Sequence, residues 1–388
     1  MKVRIKKRLL TGLFLLMTTV SFSNTIKAMY DNKIPAAVKT NIKYKGSDLP
    51  KLLDYVFIKT VRGNIRKKPH TGSHVILRAP FNTKFRALEK IQVRKSIWYK
   101  VQVGNEIGYV SSKIVHFKQF RFEKMLSKIE DLETFINVNK KKGLKLVSTH
   151  SYKPNPYNKD MNREKDKYGV SLDQNIIGKY EPENLTLHVP DRSIMAVLSE
   201  GKKYAMVDIE GIKESPIKIE KSYITTRPNI GKGFKKAIAV DLKNQNLGIF
   251  EKINGEWTLI SYIYGKTGLE STLGFETPRG SFVVPNVKYE MEYRDNFGRD
   301  SGMARYAIRF SGGGYLHGTP LEHVEDKNKD FFLDEKERGL GTYRGTRKCI
   351  RNTEEHARFL FDWVLEGTKR NISSNYQRPK DNVMFVIF

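Results

Sequence analysis

The sequence predicts a mainly β, α+β chain: a small β-rich unit near the start, one long helix after it, and a larger β-rich unit at the end. Three observations carry this. Short runs of β-branched and aromatic residues, split by turn residues, fill 54–117. A second alternating set with a hairpin signal begins at Lys236. Only the stretches around 122–140 and 352–367 place apolar residues at strong helical intervals.

Composition narrows the classes. At roughly 150 residues per domain, 388 residues give about two to three domains. Hydrophobic residues are 39% of the chain, enough for packed cores, so wholesale disorder is excluded. A single Cys excludes an internal disulfide framework and any zinc cage built on several thiolates. Lys and Arg number 70 against 42 Asp and Glu, a net charge of +28. That points to polyanionic surroundings: nucleic acid, acidic lipid or an anionic wall.

Residues 1–23 choose among these. Lys2, Arg4, Lys6, Lys7 and Arg8 precede an apolar run, Leu9 to Val20, and then Ser21-Phe22-Ser23. This is the order of a secretory signal cleaved after Ser23. The run is too short for a membrane span, which needs about 20 residues. Removing those five cations from +28 leaves +23, so the expectation is an exported basic protein in a periplasm or cell wall. Anionic wall polymers are the expected partner, with no nucleic acid and no membrane span after cleavage.

The elements follow in order. Residues 24–53 are lysine-rich without apolar periodicity and read as a tether. Tyr55–Ile58, Val75–Leu77, Phe85–Leu88, Trp98–Val103 and Gly108–Val110 are short strands of a small barrel or sandwich over 54–117. Phe122, Met125, Leu126, Ile129, Leu132 and Ile136 form one face of a helix ending near Lys140–Gly143, a spacer over 118–143. Residues 144–232 offer three strands, Leu185–Val189, Ile194–Leu198 and Tyr204–Ile209, and no evident chemistry. The last unit, 233–388, opens as an antiparallel meander whose Asn254-Gly255 turn tolerates φ > 0 at both positions.

Cys349 is the only thiol. Arg344, Arg347, Lys348 and Arg351 surround it, and cations favour the thiolate. A helix begins just after it, with Asn352 as N-cap and Glu355 as capping-box partner, its positive end near the sulfur. A thiol nucleophile needs a base, and His317, at the end of a glycine-flanked strand and followed by Gly318, is the best placed of the 8 histidines. Its ordinary pKa suits acid/base work at neutral pH.

Tyr315-Leu316-His317-Gly318-Thr319 followed by Gly345-Thr346-Arg347-Lys348-Cys349-Ile350-Arg351 resembles the active-site signature of the L,D-transpeptidase (YkuD-like) catalytic domain. Gly265-Lys266-Thr267-Gly268 and Thr277-Pro278-Arg279-Gly280-Ser281-Phe282 are similar to that family's upstream segments. The resemblance spans roughly 234–388. It implies that the Cys attacks the carbonyl before the terminal D-alanine of a peptidoglycan tetrapeptide stem, and that an amine of another stem, or water, resolves the acyl-enzyme. It implies Cys349 as nucleophile, His317 as base and the Gly318 carbonyl as orienter of the imidazole. Thr346, Arg347, Lys348 and nearby amides are implied on the oxyanion and substrate side, and Arg351 against a substrate carboxylate.

Two features depart from that pattern. Lys348 stands where the family has Gly, and a lysine held at φ > 0 is strained. A non-catalytic wall-binding protein is therefore the rival expectation. His317 and Cys349 are separated by 32 positions, the surplus being an acidic insert, Glu322 to Glu337. Asp326, Asn328, Asp330, Asp334 and Glu337 fall at calcium-loop spacing, but Phe331 replaces the glycine such a loop needs. The expectation is a solvated acidic lid and no cofactor, with calcium the alternative.

Residues 54–117 resemble the bacterial Src-homology-3-like domain, through Asn64-Ile65-Arg66-Lys67-Lys68-Pro69, Trp98-Tyr99-Lys100-Val101 and Gly108-Tyr109-Val110. That resemblance implies a small β-barrel that binds wall peptide or glycan. Trp98 is expected in the core, with Arg66 and Tyr109 as binding candidates.

Overall fold

The computed structural model describes residues 25–152, 164–172, 175–271, 274–294, 300–322, 329–371 and 373–388. The secretory-signal segment lies outside them. No helix among the described residues is long and apolar enough to cross a membrane. The described residues form four sheets and three α-helices.

The first sheet is antiparallel and has eight strands drawn from residues 25–119. Alternating side chains of Asp54–Ile58, Lys84–Val93 and Ser96–Val103 build its core around Val56, Ile65, Ala87 and Val101. Trp98 is buried, as expected of a core aromatic. Residues 25–53 do not hang free as a tether. Thr25–Met29 pairs with Lys84–Val93, Thr40 bridges Leu259 in the last domain, and Val38, Tyr44 and Leu53 are buried. Scarce periodicity there reflects an extended segment that finds its partners far along the chain.

Helix α1, Phe122–Lys141, has the length its apolar spacing dictates. Phe122, Met125, Ile129, Leu132 and Ile136 are buried in one core with Ala237, Phe250, Leu259 and Met384. The helix thus packs on its neighbours, as its apolar face requires: the same core takes in Leu146, Ile194 and Ala196 of the next sheet. Residues 145–225 supply a seven-stranded antiparallel sheet with its own core around Val147, Ile176, Val189 and Val207. Its strands Leu185–Pro190, Ile194–Glu200 and Tyr204–Ile209 sit where alternation in the sequence places them.

The last domain holds two sheets. In one, Lys236–Asp241 lies between Asn246–Ile253 and Val383–Ile387, the latter pairing parallel. The hairpin between Asn246–Ile253 and Glu256–Tyr264 turns at Asn254 (φ 52°) and Gly255 (φ 86°), the left-handed pair such a turn demands. The other sheet runs Ile350–Arg351, Gly314–His317, Asp300–Ser311, Val287–Arg294, Tyr376–Gln377. Ile238, Phe282, Ile308, Leu316 and Ile350 meet Leu360 and Val364 of helix α3, Glu354–Val364, in a shared core.

Candidate active site

Gly314–His317 pairs parallel with Ile350–Arg351, Leu316 opposite Ile350 and His317 opposite Arg351. Residues in register on parallel strands face the same way, and direction alternates along each strand. Leu316 and Ile350 are fully buried in the core below. Tyr315, His317, Cys349 and Arg351 therefore share the opposite face. Two further contacts hold the sulfur beside Tyr315: the Tyr315 backbone amide faces it, and Sγ lies 3.8 Å from the Gly313 carbonyl.

The Cys349 loop is fastened by the two upstream segments singled out in the sequence. Gly345 and Thr346 amides donate to the Thr267 carbonyl at 2.8 and 3.1 Å. The Gly268 amide donates to Thr277 Oγ1 at 2.7 Å, and that hydroxyl donates to the Lys348 carbonyl at 2.6 Å. Gly268 has no room for a side chain: a Cβ there would lie 2.4 Å from the Phe275 carbonyl oxygen and 2.6 Å from the Lys348 backbone. The Thr346 hydroxyl closes the turn on the Cys349 carbonyl, while Arg347 is exposed. Arg351 exchanges backbone hydrogen bonds with Lys266, both at 2.9 Å.

His317 is buried, and its Nδ1 donates to the Gly318 carbonyl at 2.6 Å. That bond assigns the proton to Nδ1 and leaves Nε2 as acceptor. Burial, with Arg351 adding to it, pushes the imidazole down to about 4, away from the neutral value its residue type suggests. Cys349 is half-buried, and the desolvation that comes with it raises the thiol, the opposing pull of Lys348 and Arg351 notwithstanding. The cationic setting read from the sequence thus tempers the thiol without ionising it. Both shifts favour the neutral pair of thiol and imidazole.

Lys348 takes φ 93°, so the strain expected of a non-glycine residue there is present, at a cost on the order of 1–3 kcal/mol. Its side chain is buried, at 2% exposure, and its charge acts on the buried Asp191 of the preceding sheet. A cavity of about 200 Å³ borders it, between Tyr168–Ser171 and Glu276–Arg279. Residues 144–232, silent in the sequence, thus supply one wall of the nucleophile's surroundings. Asp191 pairs with Arg309 at 2.6 Å, and Ser171 donates to Glu270 at 2.7 Å across the same seam.

Helix α3 starts one residue later than its capping signal suggests. Thr353 is the N-cap, without a side-chain cap bond, and Asn352 serves another purpose. Oriented by its partners, the Asn352 amide donates to the His317 carbonyl at 3.0 Å and accepts from His356 Nδ1 at 2.9 Å. His356 Nε2 in turn meets Ser261 Oγ at 2.8 Å. His356 has no partner recognisable in the sequence, because Ser261 is 95 positions away.

The remaining candidates lie elsewhere. Arg66 and Tyr109 face each other across neighbouring strands of the first sheet, both half-buried, Arg66 donating to the Ser73 carbonyl at 2.6 Å. Of the calcium candidates, Asp326 and Asn328 lie outside the described residues. Asp330, Asp334 and Glu337 fall on helix α2, Lys329–Arg338, where a calcium loop needs a turn. Glu337 accepts from the Thr319 hydroxyl at 2.9 Å. No group of three or more His, Cys, Asp or Glu among the described residues is arranged to hold a metal.

Residues 235–372 match the family model of the L,D-transpeptidase catalytic domain (YkuD). No curated protein matches the chain. Solved structures similar to it include a fused Zn-dependent amidase/peptidase/peptidoglycan-binding domain-containing protein from Clostridium acetobutylicum, at 16% identity over 40% of this chain and 52% of that one, TM-score 0.25. An L,D-transpeptidase from Stackebrandtia nassauensis aligns at 15% identity over 40% and 56%, TM-score 0.26. One from Mycobacterium smegmatis aligns at 12% identity over 76% and 90%, TM-score 0.27. The chain spans about half the length of the first two.

Proposed function

We propose that this chain, whose residues 235–372 match the L,D-transpeptidase catalytic domain, is an exported peptidoglycan acyltransferase of the periplasm or cell wall. The observation that carries the reading is the common face of Cys349 and His317, with His317 Nδ1 committed to the Gly318 carbonyl.

The sulfur of Cys349 attacks the carbonyl before the terminal D-alanine of a tetrapeptide stem as His317 Nε2 takes the thiol proton. The imidazolium returns that proton to the leaving amine, and D-alanine departs. An amine of a second stem then attacks the thioester, giving its proton to His317, and the sulfur leaves as the thiol. Backbone amides next to Cys349, the Thr346 amide being committed to the Thr267 carbonyl, face the developing oxyanion, while Arg351 meets a substrate carboxylate. The first sheet, with Arg66 and Tyr109, and the chain's cationic surface hold the enzyme on anionic wall polymer, raising local substrate concentration.

Incubation with isolated tetrapeptide muropeptides, read by mass spectrometry, tests this. Released D-alanine with cross-linked dimers supports transfer to an amine. D-alanine with tripeptide alone means that water is the acceptor. Neither product, from protein that still pellets with sacculi, favours a non-catalytic wall binder, the reading that buried Lys348 at φ 93° recommends.

A further inference from the structure

A cavity of about 390 Å³ opens at the seam between the seven-stranded sheet and the catalytic domain, lined by segments around 192, 227–232, 284–286 and 378–382. Its cations are Arg192, Arg227, Lys232, Arg378 and Lys380, against the single carboxylate of Asp381. Arg227, Lys232, Arg378 and Lys380 are exposed and make no ion pair among the described residues. Cations crowded without counter-charge repel one another, so the cavity favours an anion.

The walls are built. Arg192 is anchored by Asp191, which Arg309 also holds. The Asn382 amide donates to the Asn229 and Gly233 carbonyls at 2.7 and 3.0 Å, tying one wall to the other. Asn286 Oδ1 is buried at the cavity wall with no hydrogen-bond partner. A buried polar atom left unpaired costs about 1–3 kcal/mol, which a ligand bearing hydroxyl groups relieves. Arginines present forked donors to phosphate oxygens.

We infer that this cavity binds a phosphate-bearing polyol, a segment of a phosphodiester chain, with the Arg and Lys side chains on phosphate and Asn286 Oδ1 accepting from a hydroxyl group. The inference rests on the cavity and not on Cys349, so its failure leaves the acyl-transfer reading untouched.

The test is calorimetric titration of the full chain with a short poly(glycerol phosphate), at about 0.15 M salt, where exposed charges are screened beyond about 8 Å. Inorganic phosphate at equal phosphate concentration is the second arm. The expected result is saturable binding of the oligomer, tighter than phosphate, weakened at least tenfold by the Arg378→Gln, Lys380→Gln pair. The exposed Lys202→Gln, Lys203→Gln pair, in a turn of the seven-stranded sheet outside the cavity lining, removes the same charge and should change affinity less than twofold. Thermal melting confirms that each variant is folded. Equal losses in both pairs, equal affinity for inorganic phosphate, or no saturable binding overturns the inference.

Discussion

The carbonyl of His317 accepts two hydrogen bonds from Asn352, one from its backbone amide at 3.1 Å and one from its side chain at 3.0 Å. Behind Asn352 stand His356 and Ser261, so the strand end carrying the imidazole is clamped from the first turn of helix α3. Asn352→Leu and His356→Phe should each slow acylation by a carbapenem about tenfold, equivalent to roughly 1.4 kcal/mol of barrier. Alkylation of Cys349 by iodoacetamide, which needs no oriented base, should change less than twofold. Equal losses in both assays would mean the clamp merely holds the fold.

Lys348 opposes the burial that raises the Cys349 thiol. Lys348→Met should therefore raise that thiol further and slow its alkylation at neutral pH. Lys348→Gly relieves the φ 93° strain but removes the same charge, so alkylation should slow while backbone strain of order 1 kcal/mol is returned. Faster alkylation in either variant contradicts the electrostatic role.

His317 and His356 are buried and lie at about 4 and about 3, below their ordinary value of 6.5. Both are neutral in the fold, while the unfolded chain protonates near 6.5. Between pH 6.5 and 4 the unfolded state binds more protons, so stability is full above 6.5 and falls on acidification, by up to a few kcal/mol. Thermal melting from pH 7.5 to 4.5 reads this. A flat or rising melting temperature as pH falls would refute it.

Gly268 lies against the Lys348 backbone, where a Cβ would overlap. Gly268→Ala should destabilise the chain by about 1–3 kcal/mol, the usual range for overpacking, and slow acylation by shifting the Cys349 loop. Unchanged melting and unchanged acylation would show that the loop tolerates displacement.

Tyr55 Oη donates to the Gly341 carbonyl at 2.6 Å, and Phe57, Phe81 and His116 ring-pack on Tyr343. The first sheet therefore grips the segment leading into Cys349. Tyr55→Phe leaves that buried carbonyl unpaired and should cost about 1–3 kcal/mol, measured by denaturant unfolding. No loss would mean that the seam is not held there.

Local patterns in the sequence announced α1, the Asn254-Gly255 hairpin and the three strands between 185 and 209, because each is specified by its own apolar period or turn residues. His317 and Cys349 stood out through residue type and neighbours, and the fold places them on one face of the sheet. Contacts made by distant pairing were not legible: the docking of 25–53 on Leu259, the Asp191 wall beside Lys348, and the path from Ser261 through His356 to Asn352. The balance of the electrostatics was not legible for the same reason. Cationic neighbours are visible in a sequence, whereas the burial that outweighs them at Cys349 and His317 exists only in the fold.

Intact-mass spectrometry of the chain after exposure to a carbapenem tests the centre of the account most directly. A single adduct on the unaltered chain, absent from Cys349→Ala and slowed at least a hundredfold in His317→Ala, is the outcome the shared face of thiol and imidazole requires. An adduct that persists on the alanine variant of Cys349 would remove the sulfur from the reaction and the catalytic reading with it.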